Sequence, residues 1–124
     1  LLASRVSATI ERAGHVTGFA TQANALAAAL QSLGAATKAA WATGVAEEAL
    51  ANATPYLQAF GHTVLAWLWL DVALATAARE DDQAQGQRAA MRYFFSYELP
   101  KTGAWLAVVS SRDPTCRNMH EEWF

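Results

Sequence analysis

The stretch from Leu50 to Ala78 constrains this chain more than any other part of it. At its centre, Val64 to Leu70 is apolar at every position, so a helix here is greasy on all sides. Such a helix has to be covered from several directions, which makes it the central post of a helical bundle. Drawn at 3.6 residues per turn, Leu50, Ala53, Leu57, Phe60, Val64, Trp67, Leu68, Val72 and Ala75 share one broad apolar face. That face is expected to look into the bundle. The run is too short for a membrane span, since it meets His62 on one side and Asp71 on the other, whereas a span takes about 20 apolar residues.

The rest of the chain supplies partners for this post. Leu2, Val6, Ile10 and Ala13 recur at three and four residues and predict a short amphipathic helix over 2–13. Gly14 and Gly18 then loosen the backbone. A second helix over 19–43 carries the seam Phe19, Ala23, Leu26, Leu30, Leu33, Thr37 and Trp41, with alanine on most other positions. Gly44 ends it, and Glu47 and Glu48 open the next, where acids suit the positive end of the helix dipole. A connection this short forces the second and third helices antiparallel. The third helix spans 45–79, with a kink expected just before Tyr56 because Pro55 removes a donor. The polar run Arg79 to Gly86 reads as an exposed turn, and a fourth helix over 84–99 carries Met91, Phe94, Phe95 and Leu99 inward until Pro100 bends or ends it. Trp105, Leu106 and Val109 suit a further segment. The expectation is therefore an all-α, antiparallel up-down bundle of about four main helices. It forms a single domain over 1–124, with the bundle in 1–112 and an irregular tail in 113–124.

Charge and cysteine content narrow the setting. The net charge of -2 excludes the basic face that a nucleic-acid partner wants. The single cysteine, Cys116, forms no internal disulfide and points to a reducing, cytoplasmic location. The chain opens on Leu1 without a methionine and reads as a piece of something longer. Residues 1–78 hold seven charged side chains (Arg5, Glu11, Arg12, Lys38, Glu47, Glu48 and Asp71), while the remaining 46 residues hold thirteen. A half so poor in charge, with Phe19, Trp41, Trp67 and Trp69 in it, is expected to be covered by another domain or subunit. Alanine offers a blander account, because it reads as apolar while exposing little area.

No catalytic constellation is visible. His15, His62 and His120 stand far apart in sequence, and no cluster of histidines, cysteines and acids in the chain reads as a metal site. Glu47–Glu48 and Asp81–Asp82 are neighbours in sequence and point in different directions. Cys116 beside Arg117 reads as a surface thiol. The glycines are scattered singly, without a phosphate loop, and no Ser or Thr sits in a nucleophile elbow. Catalytic, cofactor-binding and metal residues are accordingly expected to be none. Two acids stand out: Asp71 on the apolar face of the third helix, and Glu98 on the face of the fourth that carries Met91, Phe94 and Phe95. Either could serve as a base, but buried carboxylates need partners. Each reads better as half of an interhelical ion pair, with Arg88, Arg92 and Lys101 as the cations and Arg88 or Arg92 the first candidates for Asp71.

Two segments carry a resemblance. Ala51-Asn-Ala-Thr-Pro-Tyr-Leu-Gln-Ala-Phe-Gly-His-Thr-Val-Leu-Ala-Trp-Leu-Trp-Leu70 resembles the third-helix signature of the extra C-terminal helical domain found in one branch of the acyl-CoA dehydrogenases. Arg88-Ala-Ala-Met-Arg-Tyr-Phe-Phe-Ser-Tyr-Glu-Leu-Pro-Lys101 resembles the matching fourth-helix segment. The branch includes bacterial flavoproteins similar to methylmercaptopropionyl-CoA dehydrogenase. The resemblance implies a parent enzyme that binds FAD and oxidises acyl-CoA thioesters to enoyl-CoA, using a glutamate base in its preceding core domains. No position in this chain matches that glutamate or the flavin-binding strands. The implied role is an accessory domain, itself without cofactor or catalysis. Its implied partners are the preceding dehydrogenase core and a homo-oligomer partner. The competing reading is a free-standing helical interaction or oligomerisation module.

Overall fold

The computed structural model describes residues 1–124 and is helical throughout, without strands. Helices α1 (Leu2–Gly14) and α2 (Ala20–Ala40) are joined by a turn in which Gly18 takes φ +92°, a left-handed conformation that costs glycine nothing. Helix α2 stops where Gly44, at φ +70°, turns the chain and donates its backbone N–H to Trp41 O at 2.9 Å. The expected third helix is two helices. The short α3 (Ala46–Leu50) ends in a turn at Ala51 and Asn52, and α4 (Ala53–Ala75) begins afresh. Pro55 therefore causes a break rather than a kink. It sits in the first turn of α4, where its missing N–H has no intrahelical acceptor to lose.

The expected fourth helix also differs from the pattern. Helix α5 (Asp82–Tyr93) runs into a π-helical segment, Phe94–Glu98, and then into α6 (Lys101–Ser111). Proline at position 100 cannot donate to Ser96 O and would crowd it in an α-helix. The chain widens by one residue instead, and Leu99 N–H reaches Phe94 O at 2.9 Å. The leg therefore continues past Pro100 rather than ending there, and its last portion packs against both α2 and α4.

Cross-contacts give the topology. Arg88 reaches Thr76 O, Glu98 meets His62, and Asn52 Nδ2 donates to Asp113 O at 3.0 Å. As one partner advances along α4 the other retreats, so α5, the π segment and α6 form one broken leg antiparallel to α4. The C-terminal half of α2 (Leu33, Ala36, Ala40) packs with Ala59 near the start of α4, and its N-terminal half (Phe19, Ala23, Leu26) packs with Ala66, Leu70 and Ala73. With α1 these make four legs in up-down order, as expected.

The phase of the central helix differs from the expected one. The residues of α4 that are buried are Ala59, Thr63, Ala66, Leu70 and Ala73, at alternating spacings of four and three. Leu50, Leu57, Leu68 and Val72 of the predicted inward face are 59%, 69%, 46% and 39% exposed. In a helix apolar all round, periodicity does not choose the inward face; steric fit does. Small side chains let α1, α2 and the last leg approach the α4 backbone closely, which maximises dispersion contacts. The same preference moves the α2 seam. Phe19, Ala23, Leu26 and Leu33 are buried as expected, but Ala29, Ala36 and Ala40 are the remaining buried positions, and Trp41 is 47% exposed. Helix α4 is also long and apolar enough to cross a membrane by length and composition alone. It is packed against by α1, α2, α5, the π segment and α6.

Candidate functional site

Asp71 is not buried and does not meet Arg88 or Arg92. Its carboxylate pairs with the Arg12 guanidinium from α1, and the two side chains are 47% and 61% exposed. Beneath this pair lies the Thr9 hydroxyl, on a residue only 2% exposed. Thr9 Oγ1 accepts from Trp67 Nε1 at 2.9 Å and from Arg12 at 3.3 Å, and lies 3.4 Å from Asp71 Oδ1. It thereby ties α1 to α4 and satisfies an indole N–H that would otherwise be stranded. The sequence placed Asp71 inward because Val64, Trp67 and Leu68 surround it. The true inward face lies elsewhere on the helix, which leaves Asp71 at a rim that an α1 cation reaches.

Arg88 has a different task. It is 13% exposed at the side chain and donates to Thr76 O, capping the C-terminal end of α4 where carbonyls lack intrahelical partners. Arg92 is exposed and pairs with no acid.

Glu98 is held as expected by a neighbouring-helix group and a cation, though one of these was not foreseen. Lys101 Nζ lies 2.9 Å from Glu98 Oε2, and His62 Nε2 from α4 lies 3.3 Å from the same oxygen. The Lys101 ammonium first, and His62 second, hold this carboxyl below the usual glutamate range. The His62 ring is fixed edge-on to Trp105 at 4.8 Å and tilted against Phe94 at 5.7 Å. This Glu–His–Lys cluster is the one arrangement in the fold with the chemistry of a general base. None of its three members lines any of the clefts of the fold. Its geometry is that of a strut between α4 and the last leg. No group of three His, Cys, Asp or Glu side chains is placed to hold a metal ion. Sequence spacing missed His62 because its partner lies 36 residues away, a pairing that only the antiparallel register creates.

The tail is also tied down. Arg117 Nη1 lies 3.3 Å from Glu48 Oε1, and the Thr43 hydroxyl and then Arg117 hold Glu48 below its usual range. Trp123 and Phe124, at the 3₁₀ turn that closes the tail, are 64% and 95% exposed. The His120 and Trp123 rings face each other edge-on at 4.6 Å.

On its outward side, α4 presents an apolar stripe. Leu57, Gly61, Leu65, Leu68 and Val72 recur at four, four, three and four residues along α4, on the side opposite Ala59, Ala66 and Ala73. Leu65, Leu68, Trp69 and Val72 line a shallow depression of about 240 Å³ without a polar residue. The chain from residue 2 to residue 120 matches the family described as acetyl-CoA dehydrogenase C-terminal like. The chain belongs to that family. No curated protein and no solved structure matches it. As an acyl-CoA dehydrogenase C-terminal domain it is an accessory unit of a multidomain enzyme.

Proposed function

We propose that this domain packs through the Leu57–Val72 stripe of α4 onto the core of a flavin-dependent acyl-CoA dehydrogenase. That core precedes it in the same polypeptide. The parent belongs to the branch resembling methylmercaptopropionyl-CoA dehydrogenase, a cytoplasmic enzyme that oxidises an acyl-CoA to an enoyl-CoA. The domain gives no residue to flavin or substrate chemistry and acts by burying its stripe on the core or across a subunit interface. The observation that carries the reading is the coincidence of the family match over 2–120 with a helix that turns Leu57, Leu65, Leu68 and Val72 away from its own core.

The reading is tested by cysteine accessibility. With the exposed Cys116 replaced by serine, Leu68→Cys should react with a maleimide quickly in the isolated chain and at least tenfold more slowly in the full-length polypeptide. The isolated chain should show no flavin absorbance and no acyl-CoA oxidation. Equal labelling rates would remove the packing surface. Protection that grows with concentration of the isolated chain would favour a self-associating module, and bound FAD or turnover would relocate the active site.

A further inference from the structure

Helix α4 carries two seams back to back. The first, Ala59, Thr63, Ala66, Leu70 and Ala73, is buried against the other legs of the bundle. Moved two residues along, the same spacing of four, three, four and three gives Gly61, Leu65, Leu68, Val72 and Ala75 on the opposite side. None of these five carries a polar side chain, and none is buried. A repeat averaging 3.5 residues is the one that keeps a stripe in line with a neighbouring helix. The stripe is also narrow. His62 and Thr76 border it on one side and Asp71 on the other, and each already has a partner inside the bundle: Glu98, Val72 O and Arg12 respectively. A seam of this width is a helix footprint, whereas a sheet laid across α4 would desolvate those polar flanks as well.

The relief of the surface matches its spacing. The depression of about 240 Å³ on α4 is lined by Leu65, Leu68, Trp69 and Val72, residues i, i+3, i+4 and i+7 of a single helix. Four residues so arranged form the hole into which a facing helix inserts one side chain. About one turn away, Gly61 has no Cβ, and one built there meets nothing within 4 Å, so the α4 backbone lies open to close approach. We infer that the core of the parent enzyme, the partner in the packing proposed above, meets this seam with an α-helix of its own. That helix runs along Gly61–Ala75, about 21 Å or four turns, at a shallow crossing angle of about 20°. It seats one large apolar side chain in the hole between Leu65, Leu68, Trp69 and Val72 and packs a turn closely over Gly61. Its facing positions are uncharged, because Asp71 and Glu98 at the borders are already paired with Arg12 and Lys101 and offer no free counter-charge.

Photo-crosslinking in the full-length polypeptide tests the helix separately from the packing it presumes. Leu65 and Val72 are seven residues apart, about 10.5 Å along α4. With p-benzoylphenylalanine at one position or the other, the two attachment sites on a facing helix should lie about seven residues apart in one segment of the core. Along a strand the same distance spans about three residues. A second variant closes the approach. Gly61→Leu should let the isolated chain unfold at no lower urea concentration than the wild type, since leucine favours the helix and its Cβ has room. In the full-length polypeptide, with Cys116 replaced by serine, it should speed maleimide labelling of Leu68→Cys at least tenfold by holding the partner helix off. Attachment sites about three residues apart or in separate segments, or protection unchanged by Gly61→Leu, would overturn the helix while leaving the packing surface in place. Attachment to α4 of a second copy, or protection of the isolated chain by phosphatidylcholine vesicles, would overturn it in favour of self-association or a lipid surface. Equal labelling of Leu68→Cys in the isolated and full-length chains, without crosslinks to the core, would remove the packing surface itself.

Discussion

Leu70 and Leu68 lie two residues apart on the same helix and should respond very differently to truncation. Leu70 is completely buried and belongs to the cluster that joins α1, α2, α4 and the last leg. Leu70→Ala therefore removes the whole transfer term and leaves a cavity that close-packed neighbours fill only in part, a loss of about 3–5 kcal/mol. Leu68 is 46% exposed and faces away from the core. Its truncation forfeits only about half of the burial of three carbons and opens no closed cavity, so Leu68→Ala should cost about 1 kcal/mol. For a domain whose whole stability is of the order of 5–15 kcal/mol, the first variant is severely weakened and the second nearly native. Urea unfolding followed by far-ultraviolet circular dichroism measures both, provided the slope is unchanged and the midpoints carry the difference. Equal losses, or a larger loss at Leu68, would mean that α4 is rotated from the orientation described. The outward stripe and the packing role built on it would then go together.

Three further outcomes follow from the polar struts. The exposed Arg12–Asp71 pair should show a coupling below about 1 kcal/mol in a double-mutant cycle, with Asp71 and Arg92 additive. Thr9→Val should cost about 1–3 kcal/mol because it strands the Trp67 indole N–H, so a neutral Thr9→Val would dissolve the hub. The lowered pKa of Glu98 sets a pH dependence of definite sign. A carboxyl whose folded pKa lies below its unfolded value adds stability above the unfolded value, about 4.3, and loses it as pH falls through the folded value. The stability difference between wild type and Glu98→Gln should therefore shrink as pH falls below about 4. A difference that stays undiminished below that pH would refute the lowered Glu98 pKa.

Helical periodicity was enough to show that this chain makes an up-down bundle around Leu50–Ala78, because apolar residues recur at three and four over long segments joined by short connections. The ends of α1 and α2 were legible for a local reason: Gly18 and Gly44 adopt positive φ, which their lack of a Cβ permits. The family resemblance rested likewise on contiguous residues, Ala51–Leu70 and Arg88–Lys101, and the match over 2–120 agrees with it. The inward face of α4 was not legible. When leucine, tryptophan and alanine all count as apolar, the pattern has no phase, and only the close approach of neighbouring helices selects Ala59, Ala66 and Ala73 over Leu57 and Leu68. The same rotation moved Asp71 to a rim beside Arg12 and freed Arg88 to cap α4. The passage through Pro100 by a π segment and the meeting of His62 with Glu98 are decided between legs of the bundle. The first is closed by a bond five residues long, from Leu99 to Phe94, that an α-helical pattern does not anticipate, and the second joins residues 36 apart that only the antiparallel register brings level.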